Sequence, residues 1–167
     1  MTAPTDSRPT WSRTWLDQAA VIAKRSRCVN AQVGAVVVSG DNRFNWQGYN
    51  GPPAGLQLAG ACSNWCPRAR GEGSGTADYS ACSSIHAEIN VLLRADASLI
   101  GGGTMYVTRA PCINCARVIA NSGLATVRCE PNDTDDPARA REVFLYLAQC
   151  RVKAGYHGGE PAGREHL

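Results

Sequence analysis

A histidine and a glutamate stand two residues apart in "CSSIHAEINVLLR", residues 82–94. From Ile85 the stretch has apolar residues at i, i+4, i+7 and i+8 (Ile85, Ile89, Leu92, Leu93), which predicts one buried helix face. In a helix interior, residues two apart point roughly 200° away from each other. His86 and Glu88 cannot share a task there. In the first turn they can, because either side chain can lean over the helix end. Ser83 or Ser84 is a suitable N-cap, so the helix is expected to begin at about Ser84.

A second chemical pair lies downstream, in "PCINC" at 111–115. Cys112 and Cys115 are i and i+3, on one side of a helix's first turn, with Pro111 expected at N1. That turn carries unpaired N–H groups and the positive end of the helix dipole, which favour thiolates. Thiolate is the form that binds zinc. Taken alone, a Cys-x-x-Cys fits a redox pair, half of a structural zinc site or chance. His86 narrows the choice. His86, Cys112 and Cys115 make three zinc ligands with a fourth position open for water, the pattern of a catalytic site. The pKa of such a water falls to about 7, and Glu88 is placed to take its proton and pass it to a leaving group. The bland alternative, a helix-start histidine beside inert cysteines, leaves Glu88 without a task.

Four further cysteines form a possible second set. Cys62, Cys66 and Cys82 read C-x3-C-x15-C, and Cys28 would complete four sulfur ligands. Four cysteines with no open position describe a structural zinc site, which would order a long Gly- and Pro-rich segment at 51–83. Free thiols or one disulfide are the competing reading. Cys129 and Cys150 stand alone and are expected to be buried small hydrophobes.

The elements that must position these groups follow from local signals. A helix is expected from an N-cap at Thr10 to about Ser26, burying Trp11, Trp15, Ala19 and Ile22. Strands at 33–39 and 44–50 flank a turn at 41–42 and suggest a hairpin. A strand at about 104–108 precedes the "PCINC" helix, which should end near Gly123. A strand at 124–129, an acidic loop, a helix capped by Asp136 with Pro137 at N1, and a strand near 151–157 complete the chain. Strands alternating with helices give an α/β class with one layered sheet. The expected organisation is one domain at 10–157 between loose tails at 1–9 and 158–167.

Composition bounds the function. The chain has 167 residues, 44% hydrophobic and 19% charged, which suits one globular domain. No apolar run reaches membrane-spanning length and the N-terminus has no secretory h-region, so a cytoplasmic location is expected. Clustered cysteines then read as metal ligands rather than disulfides. Net charge is +3. Arg8, Arg13, Lys24, Arg25 and Arg27 give the N-terminal region a mild basic bias, too little for a nucleic-acid footprint and more in keeping with a solvated helix face.

With these motifs in place, the chain resembles the zinc-dependent cytidine deaminase superfamily, whose signature is H-x-E followed by P-C-x-x-C. Within it, "KRSRCVNAQVGAVVV", "GYNGPPAG", "IHAEINVLL" and "GTMYVTRAPCINCARVIANSG" are similar to the deoxycytidylate (dCMP) deaminases, over roughly residues 12–155. The resemblance implies a single-domain α/β/α fold with a central mixed sheet. It also implies hydrolysis of dCMP to dUMP and ammonia, with His86, Cys112 and Cys115 on zinc and Glu88 as general acid/base. Asn50 of "GYNG" would contact the nucleotide and Ala87 would line its site, with Arg109 a candidate for the phosphate. The family commonly forms homo-oligomers, often hexamers. Many members respond to Mg²⁺-bound dCTP and to dTTP near the loop formed here by Gly48, Tyr49, Asn50 and Gly51. One departure stands out. Where the family carries an acidic-aromatic stretch with a pocket tyrosine, this chain reads "CEPNDTDDP". A 5-substituted dCMP is therefore an alternative substrate; a base in single-stranded nucleic acid is a separate alternative, disfavoured by the low net charge and the scattered tryptophans. A non-catalytic zinc module is the reading in which Glu88 does nothing.

Overall fold

A computed structural model describes residues 7–56, 60–72 and 82–159. The tails expected at 1–9 and 158–167 fall mostly outside the described residues. The elements in chain order are α1 (Trp11–Ala23), β1 (Gly34–Val38), β2 (Asn45–Tyr49), α2 (Ala87–Leu92), β3 (Thr104–Val107), α3 (Ile113–Ala120), β4 (Thr126–Cys129), α4 (Pro137–Gln149) and β5 (Lys153–Tyr156). The strands form one five-stranded mixed sheet in the order β2-β1-β3-β4-β5. β1 runs antiparallel to both β2 and β3, whereas β3, β4 and β5 are mutually parallel.

β1 is buried along its whole length because both faces of the sheet are covered. Val36 and Val38 pack with Tyr106 against Trp15, Leu16 and Ala19 of α1. Ala35 and Val37 face the other way. They join a larger core with Ala87 and Val91 of α2, Ala116 and Ile119 of α3, and Val143, Phe144 and Leu147 of α4. The result is three layers, α1 on one face and α2 to α4 on the other, as the alternation of strands and helices implies. No helix among the described residues is long and apolar enough to cross a membrane.

Two helix starts follow their sequence signals. The Thr10 side chain accepts from Arg13 N, and Asp136 accepts from Ala138 N and Arg139 N with Pro137 in the first turn. Other expectations are corrected. α1 ends at Ala23, and its buried face is Trp15, Leu16, Ala19 and Ala23. Trp11 is 64% exposed and stacks on Trp15 with 5.5 Å between centroids. The apolar period fits two neighbouring faces, and the sheet selects the one containing Leu16. Leu93 is 73% exposed because α2 stops at Leu92. Cys150 is exposed because it caps the C-terminal end of α4, while Cys129 is buried as expected.

Two features tie α2 to the sheet. Gly51 N donates to Ile85 O at 3.1 Å and Ile85 N to Gly51 O at 2.8 Å, so residues 52–84 leave and re-enter the fold at adjacent points. Gly48 lets α2 approach β2. A Cβ there would stand 2.6 Å from Val91 N and 2.8 Å from Ala87 O, both backbone atoms that cannot swing away. Gly48→Ala is therefore expected to cost about 1–3 kcal/mol, read as a lower urea midpoint with an unchanged slope.

Candidate metal centre and its cavity

α2 begins later than its serines suggest. Its N-cap is His86, and the N-cap of α3 is Cys112; neither side chain caps its own helix. Pro111 consequently lies just before α3 rather than at N1. Histidine and cysteine are poor caps, and forgoing a proper one costs about 1 kcal/mol. Both side chains instead turn toward each other. Cys112 Sγ and Cys115 Sγ lie 3.5 and 3.3 Å from His86 Nδ1. The three ligand atoms all fall within 4.8 Å of one another, the one such His/Cys/Asp/Glu group among the described residues.

The donor set fits zinc. Tetrahedral coordination with Zn–S of about 2.3 Å and Zn–N of about 2.0 Å places S and N about 3.5 Å apart, which is the separation seen. The three ligands leave one tetrahedral position for a non-protein group. Glu88, at the second position of α2, is 3% exposed.

Each group's proton affinity reflects this crowding. Burial pushes Glu88 above the ordinary carboxylate range, with nearby His86 partly opposing it. His86 is raised, first by its hydrogen bond with Cys112, against its own burial. Cys112 is pulled down to about 4, first by the Cys115 thiol, while Cys115 is pushed up by Cys112 and by burial. The two sulfurs thus hold one proton between them, and a metal must displace it to bind both as thiolates.

A cavity of about 240 Å³ opens beside these groups. Its wall includes His86, Ala87, Glu88, Asn50 and Arg109, all singled out in the sequence, and Arg68, Ser84, Asn30 and Thr134, which were not. No aromatic side chain lines it among the described residues. Asn50 Oδ1 accepts from Val33 N at 2.8 Å and its Nδ2 donates to Ala31 O at 2.9 Å, so Asn50 also holds the 31–33 wall in place. Tyr49 O accepts from Asn90 Nδ2 at 2.8 Å, which anchors α2.

The acidic loop is an organised support. Arg109 Nε donates to Asp135 Oδ1 at 2.9 Å, and Ala110 N donates to Asp135 Oδ2 at 3.0 Å. Asp135 is 6% exposed. The loop that lacks the aromatic residue therefore fixes Arg109 and the turn into α3. Asp135→Asn is expected to cost about 1–3 kcal/mol, because a half-buried guanidinium loses its counter-charge; denaturant titration reads it.

The cysteines of the long segment gather nearby. Cys62 and Cys66 are buried, and Cys66 Sγ lies 4.0 Å from Cys82 Sγ. Cys62 Sγ accepts from Val29 N at 3.2 Å, and Cys28 is near enough to help raise the Cys62 thiol, after burial. Burial also opposes ionisation of Cys66, but backbone N–H groups of Ser83, Ala69 and Arg68 outweigh it and the net shift is downward. None of the eight cysteines is in a disulfide.

Comparison with known proteins agrees with this architecture. The model of the cytidine and deoxycytidylate deaminase zinc-binding region matches residues 9–130. The deoxycytidylate deaminase of Mycobacterium phage D29 is 45% identical over 125 residues, 72% of this chain and 94% of that protein. The human deoxycytidylate deaminase is 31% identical over 137 residues, 80% of this chain and 74% of its own length. The crystal structure of dCMP deaminase from the cyanophage S-TIM5 in complex with dCMP and dUMP superposes with a TM-score of 0.65 at 26% identity, covering 90% of this chain and 98% of that one.

Proposed function

This chain belongs to the cytidine and deoxycytidylate deaminase family, and on that premise we propose that it hydrolyses dCMP to dUMP and ammonia. The observation that carries the reading is a buried carboxylate, Glu88, one helical step from a three-ligand His/Cys/Cys set that opens on a cavity. His86, Cys112 and Cys115 would hold zinc, which would supply a Lewis acid that makes a water nucleophilic near neutral pH. The water oxygen adds to C4 of the cytosine ring. Glu88 relays the two protons of the water, one to ring N3 and one to the amino nitrogen, so that the C4–N bond breaks, ammonia leaves and C4 becomes a carbonyl. The low-dielectric surroundings of Glu88 suit that exchange, because they raise its proton affinity. Asn50 and Ala87 lie in the wall that would hold the nucleotide, and Arg109 is a candidate for its phosphate.

The deciding experiment follows loss of cytosine absorbance with zinc-loaded protein. dCMP runs beside CMP, deoxycytidine, 5-methyl-dCMP and a cytosine oligonucleotide. Turnover of dCMP above the others is the expected result. Turnover confined to the 5-methyl nucleotide or the oligonucleotide would replace the substrate and retain the chemistry. No turnover of any of them would favour the non-catalytic module.

A second, structural zinc on Cys28, Cys62, Cys66 and Cys82 is part of the same proposal, supported by the pairing of Cys66 with Cys82 and of Cys28 with Cys62; the sulfurs do not converge as closely as the His86, Cys112 and Cys115 ligand atoms, so a metal there would have to draw the two pairs together. The loop Gly48, Tyr49, Asn50 and Gly51 supports α2 through its close packing and backbone bonds. The effector role implied by the resemblance requires dCTP with Mg²⁺ to shift the dCMP saturation curve. A curve that stays in place would leave the loop its bracing role alone.

A further inference from the structure

We propose that Arg68 grips the 5′-phosphate of the nucleotide together with Arg109, and that the cysteine-bearing segment serves to deliver Arg68 to the cavity. The inference rests on the dCMP reading and deepens it, by naming what makes the site choose a nucleotide over a nucleoside. The two guanidinium groups in the cavity wall are Arg68 and Arg109. They arrive from unrelated parts of the chain. Arg109 lies in the turn between β3 and α3, fixed through Nε and Nη2 by Asp135. Arg68 opens a short 3₁₀ turn, Arg68–Arg70, inside the 52–84 excursion. It also borders the adjoining groove with Cys112, Thr134 and Asp135, so it stands at the mouth of the cavity.

The two arginines of that turn have different surroundings. Arg70 Nη2 pairs with Glu72 Oε2 at 2.8 Å on the surface. Arg68 is half-buried in the cavity wall, only two residues beyond Cys66. Its backbone N–H also helps hold the Cys66 sulfur. Any constraint on Cys66 therefore positions Arg68. Arg109 is held by Asp135, and Arg68 brings a second guanidinium to the same wall. Guanidinium forks match phosphate oxygens, and Ser84 and Thr134 stand in the same wall.

The test compares dCMP with deoxycytidine as substrates and dUMP with deoxyuridine as ligands, in wild type, Arg68→Gln and Arg68→Lys. A charged hydrogen bond of this kind corresponds to roughly a 10–100-fold effect. Arg68→Gln is expected to reduce the dCMP-over-deoxycytidine ratio in kcat/KM by that factor, and the dUMP-over-deoxyuridine ratio in affinity equally, with Arg68→Lys intermediate. Unchanged ratios in a folded, zinc-loaded Arg68→Gln protein would overturn the assignment. So would a loss confined to a cytosine oligonucleotide. The calorimetric ratio for dUMP needs no turnover, so it decides the role of Arg68 even if wild type proves inactive on dCMP and the functional reading fails.

Discussion

Glu88→Gln is expected to fold, to keep its catalytic zinc and to lose about 10³–10⁴-fold in kcat on dCMP. The substitution keeps the side chain's shape in a site that is 3% exposed. It also removes a carboxylate that burial already disfavours in its charged form, so folding should not suffer. The proposed metal ligands are His86, Cys112 and Cys115, and zinc content should therefore stay at the wild-type value. What disappears is the group that carries a proton from the attacking water to the leaving nitrogen. An amide cannot accept and return that proton. KM for dCMP should move far less than kcat, because the loss is felt in the transition state. Residual activity within tenfold of wild type would mean that another group moves the proton.

The second large effect concerns stability. Two zinc ions per chain are expected in protein purified without chelator, and Cys62→Ser should retain one. Metal binding to a site absent from the unfolded chain is itself folding free energy, so losing it should lower stability by several kcal/mol and Tm by about 10 °C. Cys62 is the informative choice because it is buried and its sulfur already accepts from Val29 N. That contact joins the segment to the end of α1. Cys112→Ser offers the contrast: activity should vanish, with a smaller change in Tm, because α3 remains packed through Ala116 and Ile119. One zinc per wild-type chain would end the structural-site proposal.

Much of the fold was legible because its signals are local. Asp136 and Pro137 announced α4, Thr10 announced α1, and the apolar run at 34–38 announced the central strand. The meeting of His86, Cys112 and Cys115 was legible because the motif keeps their spacing. The start of α2 was misread for a physical reason. Ser84 is the better cap by propensity, but the helix begins at the residue whose side chain is wanted for the metal. Trp11 was misread because an amphipathic period does not say which of two adjacent faces a sheet will select. Arg68 and Asp135 carried no signal at all. Arg68 matters through a cavity assembled from six separate parts of the chain, and Asp135 through a partner twenty-six positions earlier, Arg109.

The paired bonds between Gly51 and Ile85 have a consequence for how such a chain can change over time. Residues 52–84 depart from the scaffold and return to it through a narrow neck. Lengthening or replacing a stretch held this way adds closure entropy only with the logarithm of its size, and leaves the strand order untouched. The excursion is a cassette. A lineage can exchange it, and with it the guanidinium it presents, while the two helix starts that hold the metal remain fixed. Substrate choice is thus separable from reaction chemistry in this architecture, and a transplanted 52–84 segment should carry its ligand preference into a new host scaffold.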